Sequence, residues 1–155
     1  MGKIVVGVDC SDSSKEALIW AAKEAVLRKS ELEVLLCVSR VDRLHEQLDD
    51  ATPSSEETLA GMLEEAIAKL DDAPDAIESR VIVSDVPAKI LVEESADAEL
   101  LVVGSRRLPH YKGALLHSVS QQVVDKATCP VVIVPGPDPL RREATVASKE
   151  AAVPR

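Results

Sequence analysis

Residues 102–120 read VVGSRRLPHYKGALLHSVS, and this stretch decides the fold. It continues an aliphatic run, Leu100 to Val103, that is typical of a strand buried on both faces. We expect Gly104 to end that strand, a polar and basic loop to follow, and a helix to begin at Ser118. A strand, a glycine and a helix N-terminus in this order are the usual parts of a phosphate or nucleotide pocket. The stretch therefore predicts an α/β fold with an anion site at the end of this strand.

Further aliphatic runs at residues 4–8, 32–38, 80–83 and 131–134 predict four more strands. Helical patterns lie between them, so strands and helices alternate along the chain. This alternation predicts an open, mainly parallel, five-stranded, doubly wound sheet with helices on both faces, which is a Rossmann-like α/β fold. The predicted helices begin at capping boxes and at a proline that suits a first turn, namely Ser13–Glu16, Ser54–Glu57, Pro87 and Ser118–Gln121.

The strand order follows from the handedness of the connections. If the winding reverses after three strands, the first and fourth strands lie side by side. Their carboxyl ends, marked by Asp9 and Gly104, then form the crevice in which such folds bind ligands.

Length and composition predict one domain with an aliphatic core. The chain has 155 residues, one Trp, one Tyr and no Phe. Residues 1–136 carry the strand and helix patterns, whereas residues 137–155 show neither periodicity nor core residues and are expected to be a disordered tail. No apolar run is long enough to span a membrane, and the first residues lack a signal-peptide pattern.

Charge and cysteine content narrow the function classes. The net charge is −9, and residues 42–103 hold 17 acidic and 4 basic residues, which argues against nucleic acid as a partner. Residues 104–155 reverse the balance, with 4 acidic and 8 basic residues, so a local anion site is compatible with an acidic protein. The three scattered cysteines have no metal-ligand spacing and fit a reducing cytoplasm.

Four segments together resemble the universal stress protein family, over about residues 3–135. The resemblance implies the fold of adenine-nucleotide α-hydrolase-like, Rossmann-like proteins, a role in the stress response, and a cytoplasmic location. The segments are Val8-Asp9-Cys10-Ser11; Pro87-Ala88 followed by Ile90-Leu91; Leu101 to Arg106; and Ser118 to Ser120 followed by Cys129 to Val134.

The loop departs from the family pattern at two glycines. Nucleotide-binding members have a glycine, two residues, a glycine, nine residues, a glycine, and then Ser or Thr. Gly104 and Ser118 match the first and last positions, but Arg107 and His117 stand at the inner glycines. Either these side chains fill the pocket, or cations including Arg106 replace backbone N–H groups as ligands for an anion.

The resemblance also implies a set of binding positions and a mode of assembly. Asp9 stands near the adenosine end of a bound nucleotide, Val38 near the adenine, and Val103 near the ribose. ATP with Mg²⁺ is the implied cofactor. The last strand, composed of Val131, Val132, Ile133 and Val134, is implied to pair across the axis of a homodimer. The phosphate end comprises Gly104, Arg106, Arg107, His117, Ser118, Val119 and Ser120.

Three functions compete for these residues. The favoured one is a stress-response protein that acts as a homodimer without tight ATP binding, and the alternative is an ATP- or AMP-binding regulator or weak ATPase. An enzyme of a related nucleotide-binding α/β class, for example an adenylating enzyme, is disfavoured, since the chain has no P-loop lysine and no nucleophile with a recognisable base. We therefore expect no catalytic or metal-binding residues.

Overall fold

The computed structural model describes residues 2–9, 11–38, 56–105 and 118–136. Strands and helices alternate along these residues, as the sequence pattern predicts. The elements are β1 (Lys3–Val8), α1 (Asp12–Arg28), β2 (Glu31–Val38), α2 (Glu56–Ala68), β3 (Ile77–Val83), α3 (Pro87–Glu94), β4 (Leu100–Ser105), α4 (Ser118–Lys126) and β5 (Val131–Pro135).

The five strands form one parallel sheet in the order β3-β2-β1-β4-β5. The strand β1 lies at the centre, where Val6 pairs with Val34 of β2 on one side and Val102 of β4 on the other. The winding therefore reverses between β3 and β4, which confirms the predicted neighbours β1 and β4. All strands point the same way, so the sheet has one edge where its strands begin, the amino edge, and one where they end, the carboxyl edge.

Both faces of the sheet are covered by helices, and each face has its own core. One core packs α1 and α2 against Ile4, Val6 and Val34, and the other packs α3 and α4 against Val5 and Leu35. Alternate residues of a strand point to opposite faces, so the continuous aliphatic runs fill both cores. Each such side chain contributes about 1.5 to 3 kcal/mol when fully buried. The inner face of α1 is built from small and aliphatic side chains, since Ala17, Leu18, Ala21, Ala22 and Ala25 are all buried.

Two local predictions are wrong. The cap of α1 is Ser11, whose side chain accepts from the Ser14 amide, so the predicted box at Ser13–Glu16 begins two residues too late. The strand β4 does not end at Gly104 but continues to Ser105, which pairs with Pro135. In both places the hydrogen-bonded neighbour, which the local pattern does not show, sets the boundary.

Charged side chains link three strands to the end of α3 in the amino half of the sheet. Glu33 is 5% exposed and lies 3.0 Å from the Lys3 ammonium and 2.5 Å from the Arg80 guanidinium. The same Arg80 nitrogen lies 2.6 Å from the Glu94 carboxylate, and Lys3 also donates to the Glu94 carbonyl at the last turn of α3. Burial alone would raise the pKa of Glu33, but hydrogen bonds from Arg80 and Lys3 outweigh it and hold that pKa below its ordinary value. We call Lys3, Glu33, Arg80 and Glu94 the ionic network.

No helix within the described ranges is long and apolar enough to cross a membrane. Residues 137–155, which the sequence predicts to be a disordered tail, lie outside the described residues.

Candidate functional site

The candidate site is the crevice at the carboxyl edge between β1 and β4. Gly7 pairs with Val103, so the two strands end at the same level, with Asp9 following one and Gly104 lying near the end of the other. Helices α1 and α4 both begin after these strands. The structure thus places Asp9, Val103 and Gly104 at neighbouring strand ends, as expected for a topological switch point.

Asp9 is exposed and turns toward the first residue of the α1 cap. Its Oδ1 accepts from the Ser11 amide at 3.0 Å and from the Ser11 hydroxyl at 2.5 Å. This two-residue turn is the usual local role of an aspartate before a helix. Asp9 therefore has a structural task at the β1–α1 junction in addition to its position at the crevice.

Ser14 ties the end of β1 to the first turn of α1. Its hydroxyl is buried, accepts from the Asp9 amide at 3.2 Å and donates to the Ser11 carbonyl at 2.9 Å. Ser13, also buried, lies with its hydroxyl 3.1 Å from that of Ser11. Ser11 thus caps an open amide of the first turn, that of Ser14, while the Ser14 hydroxyl joins this turn to the end of β1.

Gly104 is required by packing. A Cβ on this residue would lie 2.7 Å from the carbonyl carbon and oxygen of Ser13 and 2.9 Å from the Ser14 nitrogen. Gly136 meets the same turn from β5, where a Cβ would lie 3.0 Å from that of Ser13. Its amide also donates to the Ser105 carbonyl. Close contact with the α1 backbone is therefore sufficient to require a glycine at residue 104, whether or not a phosphate binds there. In the family pattern the same residue is the first glycine of the loop.

Val38 and Val103, the positions assigned to adenine and ribose, are anchored in the sheet. Val38 is half-buried, and its carbonyl accepts from the Ser84 amide at 2.9 Å. A carbonyl oxygen has two lone pairs, so this bond leaves one more available. Val103 is 3% exposed and packs in the core beneath α3 and α4, so only its backbone is placed to meet a ligand.

The phosphate end of the predicted site falls partly on undescribed residues. Arg106, Arg107 and His117 lie outside the described residues. The helix α4 begins at Ser118 as predicted, with Val119 half-buried against the second core and Ser120 buried.

Cys37 is half-buried in β2, next to the crevice. Burial, assisted by the negative charge of Asp9, raises the pKa of Cys37 to about 11. A thiol with such a pKa stays protonated at neutral pH. Cys129 is also a free cysteine, and Cys10 lies outside the described residues.

The described part of the crevice carries groups that can bind a ligand. A carboxylate at Asp9 accepts hydroxyl donors, while two helix N-termini favour anions. Within the described ranges no three His, Cys, Asp or Glu side chains are grouped to hold a metal ion. This combination suits noncovalent binding of a ligand with both hydroxyl and anionic groups.

The sequence pattern missed several residues that build this edge, namely Ser14, Ser84 and Gly136. The dense run of serines at residues 11–14 was a usable signal, because such clusters favour helix caps. Gly136 gave no signal, because the need for a glycine arises from a contact with Ser13, 123 positions away in the chain.

Known proteins resemble this chain in sequence over most of its length. The model of the universal stress protein family matches residues 1–135. Universal stress protein Rv2623 of Mycobacterium tuberculosis is 36% identical over 131 residues, which cover 84% of this chain and 44% of that protein. A universal stress protein of Mycolicibacterium smegmatis is 33% identical over 132 residues, covering 84% and 45%. The chain thus spans less than half the length of these relatives.

Solved structures share the fold. The protein MJ0577 superposes with a TM-score of 0.69 at 21% identity, covering 88% of this chain and 97% of that one. A universal stress protein solved in complex with cAMP gives a TM-score of 0.60 at 27% identity, covering 88% and 98%. The sheet order, the crevice between β1 and β4, and these matches lead to one assignment: the chain belongs to the universal stress protein family.

Proposed function

We propose that this chain is a stress-response regulatory protein that acts as a homodimer through β5 and does not bind ATP tightly. The observation that carries the proposal is the character of β5. In the described sheet β5 pairs with β4 on one side and has no neighbour on the other, although its first four residues are Val, Val, Ile and Val. All five residues keep part of their surface exposed, and Ile133 is 41% exposed.

An apolar edge strand of this kind favours pairing with another chain. Its outer backbone groups and its aliphatic side chains both gain from a second strand, and an uncovered edge promotes aggregation. A second copy of β5, related by a two-fold axis, would pair with the outer backbone groups and cover the aliphatic side chains.

The crevice supports the second part of the proposal. Gly104 is accounted for by its contact with Ser13, so it is weak evidence for a phosphate site. Arg107 and His117 stand at the two inner glycine positions of the nucleotide-binding pattern. Both residues carry a Cβ where a backbone N–H must approach a phosphate closely.

The assembly test compares two substitutions that each replace an exposed aliphatic side chain with a charged one. Ile133→Asp places a charge on the β5 edge and should convert the dimer to a monomer in sedimentation velocity at micromolar protein. Val124→Asp is the control, because Val124 is 51% exposed on α4, and this variant should remain dimeric. A wild-type protein that is monomeric at this concentration, or an Ile133→Asp variant that stays dimeric, contradicts the proposed assembly.

The ligand test uses thermal stability. A ligand that binds the folded state raises the melting temperature according to its concentration relative to Kd. With 5 mM ATP and Mg²⁺ (about the cellular range of nucleotide) we expect only a small shift if ATP binds weakly. A shift of about 5 °C or more, or ATP recovered from the denatured purified protein, contradicts the proposal.

A second candidate function is that of an adenine-nucleotide-dependent regulator or weak ATPase. It is favoured by the 27% identical universal stress protein that was solved with cAMP. In this chain, Asp9 and Val38 follow or end neighbouring strands at the carboxyl edge of the sheet. This second function predicts saturable binding of AMP or ATP in calorimetry, and slow phosphate release from ATP if the chain is also an ATPase.

A further inference from the structure

The outward side of α1 carries a group of exposed apolar side chains. Of the seven large apolar side chains that are exposed in the described residues, three lie on this helix, namely Ile19, Val26 and Leu27. Ile19 and Val26 are seven residues apart and so lie on one side of the helix, and Leu27, next to Val26, is 78% exposed. Single exposed apolar side chains are ordinary, but a group on one helix marks a surface for contact with another molecule.

The exposed charges of α1 are mostly basic, although the whole chain has a net charge of −9. Lys23 stands between the apolar residues 19 and 26, and its side chain is exposed. A surface that combines apolar and basic groups favours an acidic, partly apolar partner. Within residues 13–29 and the described cap, the exposed charged side chains are four basic ones, Lys15, Lys23, Arg28 and Lys29, and one acidic one, Glu16.

The helix α2 offers a surface of the opposite charge. It contains four exposed glutamates, Glu56, Glu57, Glu64 and Glu65, and no basic residue. Met62 on the same helix is 42% exposed, and nothing lies within 4 Å of a Cβ placed on Gly61, so a neighbouring helix can approach closely. Both α1 and α2 cover the first core, where α1 packs on β1 and β4 and α2 packs on β3. A basic and an acidic helix therefore lie in one layer on one face of the sheet, and we call their outward surface the α1/α2 face.

We propose that the α1/α2 face is a self-association surface, on which α1 of one copy packs against α2 of a second copy. Both helices connect parallel strands, so they run in the same direction. A two-fold axis outside the layer, parallel to the helices and between them, places α1 of each copy on α2 of the other. The same contact then forms twice, as in any isologous interface. A second copy fits this face because it brings the acidic helix to the basic one and the basic helix to the acidic one.

This contact is separate from the proposed pairing of β5. The α1/α2 face covers the sheet, whereas β5 is its edge. Two helices offer only a small area, so we expect a transient interface with a Kd on the order of 100 µM. At micromolar protein the contact is therefore open, and at several hundred micromolar it joins whatever species β5 has formed into larger ones.

The test measures the weight-average mass of the full chain by sedimentation equilibrium between 10 and 500 µM, in 0.15 M NaCl. For the wild type we expect this mass to rise about 1.5-fold or more over that range, whether the species at 10 µM is a monomer or a β5 dimer. Leu27→Ser removes an apolar contact and should weaken the self-association by about fivefold. A mass that stays constant for the wild type overturns the inference.

A charge exchange tests the pairing of α1 with α2. Lys23→Glu and Glu64→Lys each place like charges opposite each other, and each variant alone should associate about tenfold more weakly than the wild type. An equal mixture of the two variants should recover most of the rise in mass, because opposite charges face each other again. Both variants should fold, since neither residue takes part in an ion pair within the described residues and both are exposed.

The matched controls make the same charge changes on α4, on the opposite face of the sheet. Lys126→Glu and Asp125→Lys alter exposed residues there and should associate as the wild type does. Loss of association in these controls would show that net charge alone governs it, and would overturn the inference. A mixture of Lys23→Glu and Glu64→Lys that does not recover also overturns it.

Other partners for the basic helix give different results. If the wild type does not self-associate but binds vesicles of anionic phospholipid, and Lys23→Glu alone removes that binding, the surface meets a membrane and the inference is overturned. If Ile133→Asp and the wild type are both monomeric at micromolar protein while the mass still rises with concentration, the proposed β5 dimer fails and this inference stands.

Discussion

The carboxyl and amino edges of the sheet satisfy their polar groups in different ways. At the carboxyl edge, the hydroxyls of Ser11 and Ser14 bond to backbone groups, Ser11 also bonds to Asp9, and the glycine at 104 lets α1 approach β4. Toward the amino edge, Glu33 is held by two cations from neighbouring strands. The first arrangement depends on backbone proximity, and the second on opposite charges.

This difference separates a part of the molecule that can accept a ligand from a part that holds the fold. Hydroxyls and helix N-termini at the carboxyl edge can bond to a ligand as well as to the protein. The paired charges of the ionic network are committed to each other, because breaking one pair leaves a buried charge. We therefore expect substitutions in the ionic network to change stability without changing binding.

The largest change in the free energy of unfolding should come from Gly104→Ala at the carboxyl edge. Its Cβ would lie 2.7 Å from the Ser13 backbone, which cannot move aside without shifting α1. We expect a loss of about 3 kcal/mol in the free energy of unfolding, measured by urea denaturation. Gly61→Ala is the control: nothing lies within 4 Å of that Cβ on α2, and a gain of up to about 1 kcal/mol is expected. Equal stability of Gly104→Ala and the wild type would contradict the packing role of Gly104.

Glu33→Gln in the ionic network should have the next largest effect. The change leaves Lys3 and Arg80 without their shared carboxylate, but these side chains are 33% and 48% exposed, so solvent screens part of the cost. We expect a loss of about 2 kcal/mol in the free energy of unfolding, less than for a fully buried pair. In the exposed pair of Glu65 and Lys69, Glu65→Gln should cost less than about 0.5 kcal/mol. Similar losses in the two variants would remove the distinction between the network and a surface ion pair.

The stability contribution of Glu33 should depend on pH. Its pKa is lowered in the folded state from an ordinary value of 4.5, so the folded protein binds this proton less readily than the unfolded chain. The contribution is therefore fully present above the unfolded pKa and is lost as the pH falls through the lowered folded pKa. The difference in melting temperature between wild type and Glu33→Gln should be constant from about pH 7 to 5 and should narrow below about pH 4.5. A difference that widens in acid would show that the sign is wrong.

The smallest effect is expected at the end of α1, where the chain turns toward the amino edge. Lys29 adopts a left-handed conformation, with φ 55° and ψ 41°, which costs a non-glycine residue roughly 1 kcal/mol. Lys29→Gly removes that cost but adds freedom to the unfolded chain, so a net gain of about 0.5 kcal/mol in the free energy of unfolding is expected. Lys23→Gly, in the middle of the same helix, should instead lose about 1 kcal/mol. A loss at both positions would mean that the left-handed turn carries no strain.

Much of the fold was predictable from local pattern. The aliphatic runs located all five strands, and the alternation of strands and helices predicted the doubly wound sheet. Patterns failed where a partner distant in sequence decides the outcome. On α2, for example, the apolar Met62 is 42% exposed, whereas Leu59 and Leu63 are buried against the sheet.

The place of the candidate site in the fold was predictable from the sequence, but the local contacts of its residues were not. Asp9, Val38 and Gly104 do meet at one edge, because parallel strands of a doubly wound sheet end together. Their local contacts are not part of any motif: Asp9 also holds Ser11, and Gly104 also admits the backbone of Ser13. Arg106, Arg107 and His117 lie outside the described residues, so the two interpretations of that loop stay as predictions.

By itself, the sequence determined the class of fold, the order of its elements and its family, because periodicity, caps and short motifs depend on neighbours along the chain. Only the tertiary structure decided why Gly104 must be glycine, which cations hold Glu33, and which apolar side chains of α1 remain exposed. These features depend on distances between residues far apart in sequence, and such distances exist only once the chain has folded.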